Sequence, residues 1–242
     1  MEDFLAFAGR LADAAREETL KRWRTPLVAD NKARSGFDPV TDADREAERA
    51  MRALIERHFP DHGIQGEEFP DRRGAGRYGW SLDPVDGTRA FVCGLSSWTT
   101  LIALLDEGQP ILGLIDAPAM GERYAMDGRA SGCARLAEAR FSTTDPFLFD
   151  EDEAPRVARV RQAARTARYG LDGYGYAMVA AGHLDLVIES GLKPHDYNAL
   201  IPVVRAAGGW IGDWRGGEDF GAGRVVAAAS RALYDEAVAR LA

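Results

Sequence analysis

The chain of 242 residues contains few cysteines and histidines: two of the first, Cys93 and Cys133, and four of the second. Two cysteines that lie far apart in the sequence cannot form a disulfide framework or a zinc site. Cysteine usage of this kind is typical of proteins in a reducing compartment, and we therefore expect a cytoplasmic protein.

The sequence also lacks long apolar runs and an excess of basic residues. No apolar run approaches the roughly 20 residues that span a membrane. Residues 1–20 contain acidic side chains from the start, so we expect no signal peptide. The net charge is −8, which gives little support to a nucleic-acid partner. A negative field would also repel a phosphate ester unless bound cations reverse it locally.

Hydrophobic residues make up 46% of the chain, enough for a sizeable core in one large domain or two moderate ones. Apolar spacing predicts helices over residues 2–24 and from Thr41 to Pro60, the second opened by a capping box of Thr41 and Asp44. A polar loop is expected between them, at residues 32–36. Strands are predicted over residues 63–68, 98–105, 111–117 and 123–126. Strands that follow two helices in this way predict a sheet covered by a helical layer.

The second half of the sequence alternates helices and strands, and the boundary between the halves is expected within residues 135–145. Asp172 is predicted to be a helix N-cap. Pro202 interrupts a helical pattern, so that helix either kinks or starts late. We predict helices over residues 152–164, 173–182, 196–207 and from 230 onward, a half-buried strand over 184–189, and further strands over 210–213 and 225–229.

Residues 80–91 carry the most informative pattern, an apolar strand followed by a sharp turn that reads Asp-Pro-Val-Asp-Gly-Thr. The proline keeps Asp83 in an extended conformation, and Gly87 lets the backbone approach a ligand. Asp83 and Asp86 can bind hard cations, while the amides of Gly87 and Thr88 can bind an anion. Asp-Pro or Asp-Gly alone is an ordinary surface turn. The complete run is suited to a phosphate held through metal ions.

This run resembles the Asp-Pro-(Ile/Val)-Asp-Gly-Thr signature of the inositol monophosphatase family. The family also has an upstream Gly-Glu-Glu, found here at residues 66–68, and a late aspartate before Ala-Gly-Gly, found here as Asp196 before residues 207–209. The resemblance implies an α+β or α/β fold, a five-layer α-β-α-β-α sandwich that is commonly a homodimer. It implies an N-terminal α+β domain over residues 1–138 with most metal ligands, and a C-terminal α/β domain over residues 139–242.

The resemblance further implies a centre with two or three Mg²⁺ ions. Asp83 would bridge two metals. Glu67 and the Val85 carbonyl would complete one metal, while Asp86 and Asp196 would complete the other. An all-oxygen ligand set of this kind suits Mg²⁺, and no histidine or cysteine competes for zinc.

In the same comparison, Glu67 and Thr88 would orient and deprotonate a metal-bound water that attacks phosphorus in line, while a metal stabilises the leaving alkoxide. Asp44 matches the last position of the family's Val-Thr-x-x-Asp and would lie just outside the metal cluster. The neighbouring Asp42 is equally consistent with a surface helix cap. Substrate contacts are expected from Asp86, Gly87, Thr88, Arg89, Asp172, Glu189 and Asp196.

The runs at residues 86–89, 99–105, 142–146 and 191–196 are more similar to the histidinol-phosphate phosphatase branch of the family. That branch implies hydrolysis of L-histidinol phosphate in histidine biosynthesis, with Asp172 and Glu189 beside the organic part of this small phosphomonoester. Leu171 departs from the family's usual Gly-Gly-Asp or Gly-Thr-Ala. The alternative enzyme is an inositol-1-phosphate phosphatase. The alternative outside catalysis is a metal- or phosphate-binding regulator, against which the intact pair of Glu67 and Thr88 argues.

Overall fold

A computed structural model of the protein describes residues 2–26, 30–31 and 39–242. The loop expected at residues 32–36 lies outside the described residues. The first half of the chain contains the helices α1 (Glu2–Leu20), α2 (Asp42–His58) and α3 (Thr88–Val92). Its strands are β1 (Asp30–Asn31), β2 (Pro39–Val40), β3 (Gly63–Gly66), β4 (Tyr78–Asp86), β5 (Thr99–Asp106), β6 (Gln109–Ala117) and β7 (Glu122–Tyr124).

The second half alternates helices and strands, as its sequence predicts. Its strands are β8 (Arg140–Thr143), β9 (Thr166–Tyr169), β10 (Leu186–Glu189), β11 (Trp210–Gly212) and β12 (Val225–Ala228). Its helices are α4 (Glu153–Ala163), α5 (Gly173–Ala180), α6 (Pro194–Tyr197), α7 (Leu200–Ala206) and α8 (Arg231–Leu241). The strands β8 and β9 were not predicted, because neither has a distinctive alternation of apolar and polar residues.

The predicted capping box at the start of α2 is confirmed. The Thr41 hydroxyl accepts a hydrogen bond from the Ala43 amide at 3.1 Å, and Asp44 accepts one from the Thr41 amide at 2.9 Å. These bonds satisfy amide groups that have no partner inside the helix. The predicted length of α1 is wrong, because the helix ends at Leu20 and a turn over residues 21–25 follows.

The first sheet has the strand order β3-β4-β5-β6-β7 and is antiparallel except for the β3–β4 pair. The strand β4 continues through Pro84 to Asp86, and its pairing with β5 shifts register between Asp83 and Asp86. A proline is tolerated there because an irregular strand end does not need its missing N–H. The bulge turns the end of β4 away from the regular ladder.

The second sheet has the order β11-β12-β10-β8-β9, with β8 parallel to both of its neighbours. The prediction of a half-buried strand over residues 184–189 is wrong, because all four residues of the central strand β10 are buried. Helical layers cover both faces of this sheet, and the polar residues in the segment are satisfied internally. Asp185 pairs with Arg140 at 2.7 Å.

The molecule has five layers, and the predicted α-β-α-β-α sandwich is confirmed. Helices α1 and α2 pack on the outer face of the first sheet through a core that includes Phe7, Met51 and Trp80. Helices α5 and α7 lie between the sheets. Helices α4 and α8 cover the outer face of the second sheet. The strands of the first sheet lie within residues 63–124 and those of the second within 140–228, while the domain boundary at residue 138 stays a prediction.

Two local predictions near the middle layer need correction. The helix expected over residues 196–207 consists of two pieces, α6 and α7, and Pro202 is the third residue of α7, where its missing N–H breaks no helical bond. Asp172 does precede α5, but its side chain makes no capping hydrogen bond and its backbone has φ of +48°. Across the described ranges, no helix is long and apolar enough to cross a membrane.

Candidate active site

A cavity of about 340 Å³ opens where the end of β4 meets the middle helical layer. Its wall includes every acidic residue that the sequence assigned to metal or substrate, while Asp44, expected just outside the metal cluster, does not line it. Glu67, directly after β3, and Asp83 and Asp86 on β4 come from the first sheet. Asp172 before α5, Glu189 at the end of β10 and Asp196 on α6 come from the second half of the chain.

Three of these carboxylates converge. One oxygen from each of Asp83, Asp86 and Asp196 lies within 4.8 Å of the others. The bulge at the end of β4 allows both of its aspartates to face the cavity, although they are three positions apart. Glu67 lines the same cavity but does not belong to this closest group.

Hydrogen bonds to the protein hold each of the three carboxylates. Asp86 accepts from the Gly173 amide at 2.6 Å and from the Thr99 hydroxyl at 2.9 Å, both through Oδ2. Asp196 accepts from the Lys193 amide at 2.6 Å. Asp83 accepts a hydrogen bond from the Val85 amide at 3.1 Å. These bonds fix the orientation of the side chains before any ligand arrives.

Burial and neighbouring charges disfavour the ionised form of all three carboxyl groups. Burial, followed by the charge of Glu67, raises the pKa of Asp83 well above its ordinary value. Burial and the charge of Asp172 raise the pKa of Asp86 in the same way, and burial raises the pKa of Asp196. Buried like charges at this spacing need cations to be stable in ionised form. The donor set consists of carboxylate oxygens, which fits a hard divalent cation.

Thr88, the first residue of α3, lies at the edge of this cluster. Its hydroxyl donates to the Val85 carbonyl at 2.9 Å and lies 3.3 Å from Oδ1 of Asp44. Asp44 itself is buried, and burial raises its pKa. The sequence comparison placed Asp44 outside the metal cluster, and the structure adds a direct contact with the Thr88 hydroxyl. Asp42, by contrast, is exposed on the surface.

Gly87 brings the β4 turn close to the opposite wall of the cavity. Its φ is +81°, and a Cβ at this position would lie 3.0 Å from Oδ2 of Asp172. Glycine adopts this left-handed conformation without a steric penalty. The neighbouring Arg89 also lines the cavity. The atoms nearest to this position belong to the side chain of Asp172 and not to Leu171.

Asp172 and Glu189 form a second acidic pair in the cavity wall. Burial raises the pKa of Asp172 to about 6, against the opposing charge of Arg89. Burial also raises the pKa of Glu189 to about 8, although its carboxylate accepts from the Thr144 amide at 2.6 Å. Burial therefore disfavours the ionised form of both groups, and a positively charged partner would stabilise it.

Several residues of the site were missed at the sequence level. Thr99 and Gly173 hold Asp86, and Tyr176 and Lys193 line the cavity. Thr99 and Lys193 lay in runs that had been singled out for their resemblance, but neither had been assigned a role. Gly173 and Tyr176 belong to α5, whose local sequence indicates packing, so their approach to the site depends on the tertiary fold.

The model of the inositol monophosphatase family matches residues 1–242. This chain belongs to the inositol monophosphatase family. It is therefore a phosphoric monoester hydrolase, as predicted, and acts on small phosphate esters with the metal dependence general to this family.

Relatives within the inositol monophosphatase family carry different activities in their names. The bifunctional phosphatase IMPL2 of Arabidopsis thaliana is 43% identical over 229 residues, which cover 89% of this chain and 66% of that protein. The histidinol-phosphatase of Streptomyces coelicolor is 35% identical over 256 residues, which cover 97% of this chain and 95% of the relative. The solved structure of an inositol monophosphatase from Zymomonas mobilis superimposes with a TM-score of 0.87 at 39% identity, covering 99% of this chain and 98% of its own.

Proposed function

We propose that this phosphatase hydrolyses L-histidinol phosphate to L-histidinol and phosphate, with Mg²⁺ as its metal, in histidine biosynthesis. The observation that carries the proposal is the second acidic pair, Asp172 and Glu189, in a cavity that already contains three carboxylates for metal. A phosphate ester alone gives no reason for two further carboxylates, one half-buried and one buried.

A cationic ammonium is the partner that such a pair prefers. Hydrogen bonds between charged groups are about twice as strong as those between neutral groups. Histidinol phosphate carries an ammonium group, whereas inositol phosphate carries only hydroxyls. A gain of ~1.5–3 kcal/mol from one such bond corresponds to a preference of roughly 10- to 100-fold.

The similarity to the Streptomyces coelicolor histidinol-phosphatase supports the same substrate, because it extends over 97% of this chain. The runs at 86–89 and 191–196 resemble the histidinol-phosphate branch, and all of their residues except Pro194 line the cavity. These runs therefore include several of the positions that are expected to contact the substrate.

The chain's own residues have separable tasks in the reaction. Divalent cations, when bound to Asp83, Asp86 and Asp196 with Glu67 and the Val85 carbonyl nearby, would offset the phosphate charge and stabilise the leaving alkoxide. The Thr88 hydroxyl takes a proton from the attacking water and can pass its own proton to Asp44, 3.3 Å away.

The remaining residues orient the water and the ester. Glu67 faces the cavity and orients the water for attack on phosphorus, opposite the ester oxygen. The amides of Gly87 and Thr88 hold the phosphate oxygens. Arg89 and Asp172 line the next part of the wall, and Glu189 receives the ammonium group.

The deciding experiment is a comparison of kcat/KM for L-histidinol phosphate and inositol-1-phosphate at saturating Mg²⁺. We expect the wild type to prefer histidinol phosphate and Glu189→Gln to lose most of that preference. Glu138→Gln, which removes an exposed carboxylate outside the cavity, is the matched control and should keep it. Equal or greater efficiency on inositol-1-phosphate, or full discrimination by Glu189→Gln, would reject the proposal.

Inositol-1-phosphate phosphatase is the second candidate function. The observation in its favour is the similarity to the Zymomonas mobilis inositol monophosphatase, 39% identical over nearly the whole chain. In that case Asp172 and Glu189 would bind hydroxyl groups, and the same substrate comparison would give the opposite order.

The metal is a separate part of the proposal. Mg²⁺ prefers oxygen ligands in octahedral geometry, while Ca²⁺ is larger and less strict in geometry. Activity should therefore vanish with excess chelator, return with Mg²⁺ and return only weakly with Ca²⁺. Full activity in excess chelator would contradict metal dependence.

We also propose that the protein is a homodimer. Four large apolar side chains are exposed, Leu95, Phe147, Leu148 and Tyr169, and Leu148 also lines the cavity. Their segments are adjacent, because the Gly170 amide donates to the Thr144 carbonyl at 2.8 Å and the Ser97 hydroxyl donates to the Gly170 carbonyl at 3.0 Å.

Light scattering should give twice the mass of the 26.4 kDa chain, and Phe147→Ser should shift the protein toward monomer. A monomeric wild type at micromolar concentration would reject this assembly.

A further inference from the structure

Tyr176 of α5 has a hydroxyl group that the proposed reaction leaves without a role. The side chain is only 1% exposed and lines the cavity. Its hydroxyl oxygen has no hydrogen-bond partner among the residues that the structure describes. A buried polar group normally finds a partner in the fold, so an unpartnered one at a ligand cavity requires an explanation.

Other tyrosines of the second half of the chain show how the fold satisfies such groups. The Tyr234 hydroxyl, also buried, donates to the Asp213 carbonyl at 2.6 Å. The Tyr174 hydroxyl, two residues before Tyr176 on the same helix, donates to Glu122 at 2.9 Å outside the cavity. Tyr176 differs from both because it lines the cavity and its hydroxyl has no partner among the described residues.

Tyr176 shares its cavity wall with the acidic pair expected beside the organic part of the ester. It lies on α5, which directly follows Asp172, and Glu189 lines the same cavity. Burial raises the pKa of its phenol, and the charges of Glu189, Asp86 and Asp196 raise it further, so the phenol is neutral at any physiological pH. The residues expected to hold the phosphate, Gly87 and Thr88, lie on a different element, at the start of α3.

We propose that the Tyr176 hydroxyl binds a polar group on the organic part of the phosphate ester. A phenol can donate one hydrogen bond and also accept one, so it can serve an ammonium or a hydroxyl group of the substrate. The inference rests on the proposed phosphomonoesterase function of this cavity, and it holds for either candidate substrate. It assigns Tyr176 to substrate selection beside Glu189.

The test compares the wild type with Tyr176→Phe on three esters: L-histidinol phosphate, inositol-1-phosphate and propyl phosphate, which has no polar group on its organic part. We expect Tyr176→Phe to lower kcat/KM, mainly through KM, by roughly 3- to 10-fold for whichever polar ester the wild type prefers. Propyl phosphate should be cleaved equally by both proteins.

Two controls separate binding from a structural role. Tyr174→Phe makes the same substitution on the same helix outside the cavity. It should leave kcat/KM for all three esters unchanged. Tyr176→Phe should unfold at the same temperature as the wild type or higher without ligand, because it removes a buried polar atom that has no partner.

An equal effect on all three esters, including no effect, would overturn the proposal for Tyr176. A lower unfolding temperature with an equal loss on every ester would assign Tyr176 to folding instead. The ester that the wild type cleaves with the higher kcat/KM tests the proposed function. The ratio of the variant's kcat/KM to that of the wild type, taken for each ester, tests the role of Tyr176. The two failures are therefore distinguishable.

Discussion

The three converging aspartates illustrate how a buried acidic site keeps its geometry. Each accepts at least one backbone amide hydrogen bond, from Gly173, Lys193 or Val85. The amides restrict each carboxylate without neutralising it, so the negative charge remains available to a cation. Removing a carboxylate charge and removing an amide contact should therefore have different effects.

The first prediction at this scale concerns proton transfer and metal binding. Thr88→Ala and Glu67→Gln should each lower kcat by roughly 10²-fold or more, because the loss of a proton-transfer or orienting group has an effect of that size. Asp196→Asn should instead raise the Mg²⁺ concentration needed for half activity. Steady-state kinetics over a Mg²⁺ titration distinguish these effects.

Thr25→Ala, which removes an exposed hydroxyl after α1, is the control for Thr88→Ala and should leave kcat unchanged. A near-normal kcat for Thr88→Ala would show that another group activates the water.

The second prediction concerns Glu189 and the pH dependence of stability. Its folded-state pKa of about 8 lies above the ordinary 4.5, so the folded protein holds a proton that the unfolded chain has released between these values. The contribution of Glu189 to stability is complete below pH 4.5 and is lost as the pH rises through 8. Glu189→Gln should therefore be more stable than the wild type at pH 9 by roughly 1–3 kcal/mol and about equally stable at pH 5.

Urea unfolding at the two pH values, without metal or substrate, measures this difference. A gap between the proteins that is the same at both pH values would contradict the assignment of the proton to Glu189.

At the scale of elements, helix α5 connects the two sheets at the site. The amide of its first residue, Gly173, donates to Asp86 at the end of β4, and a Cβ on Gly173 would lie 2.5 Å from Oδ2 of Asp86. The start of the helix and the strand can approach this closely only because no side chain intervenes. The position of α5 therefore determines the orientation of Asp86, one of the proposed metal ligands.

Gly173→Ala should displace either α5 or Asp86, and we expect at least a tenfold weaker Mg²⁺ affinity by calorimetry. Gly175→Ala is a matched control on the same helix, since its Cβ would have ordinary contacts at 3.5 Å with Leu171 and Val187. It should bind Mg²⁺ normally. Equal Mg²⁺ affinity in the two variants would mean that this close approach does not position Asp86.

The elements also show which features the sequence could reveal. The end of β4, the turn to α3 and the capping box of α2 were predictable, because neighbouring residues determine them through proline, glycine and local hydrogen bonds. The strands β8 and β9, the full burial of β10 and the approach of Gly173 to Asp86 were not. Each depends on partners far along the chain, which local periodicity does not record.

At the scale of the whole molecule, the proposed metal site takes residues from both halves of the chain. Asp83 and Asp86 come from the first sheet and Asp196 from the second half, on α6. Any ligand that binds these three residues together binds the folded state and not the unfolded chain, so it stabilises the fold.

Mg²⁺ at 100 times its dissociation constant should add about 2.7 kcal/mol to the free energy of unfolding. For a chain of this length, that corresponds to a rise in Tm of roughly 5–10 °C. Differential scanning calorimetry with and without chelator measures the rise, and Asp196→Asn should abolish most of it. An unchanged Tm would contradict a site shared between the two halves.

The separation of these ligands along the chain has a consequence for synthesis. A chain still attached to the ribosome exposes Asp83 and Asp86 long before Asp196 has emerged, so it can offer a cation only part of its final ligand set. Tight metal uptake must therefore wait until translation has passed α6 and the second half has folded against the first. With the proposed ligand set, we therefore expect metal acquisition to be a late event in synthesis.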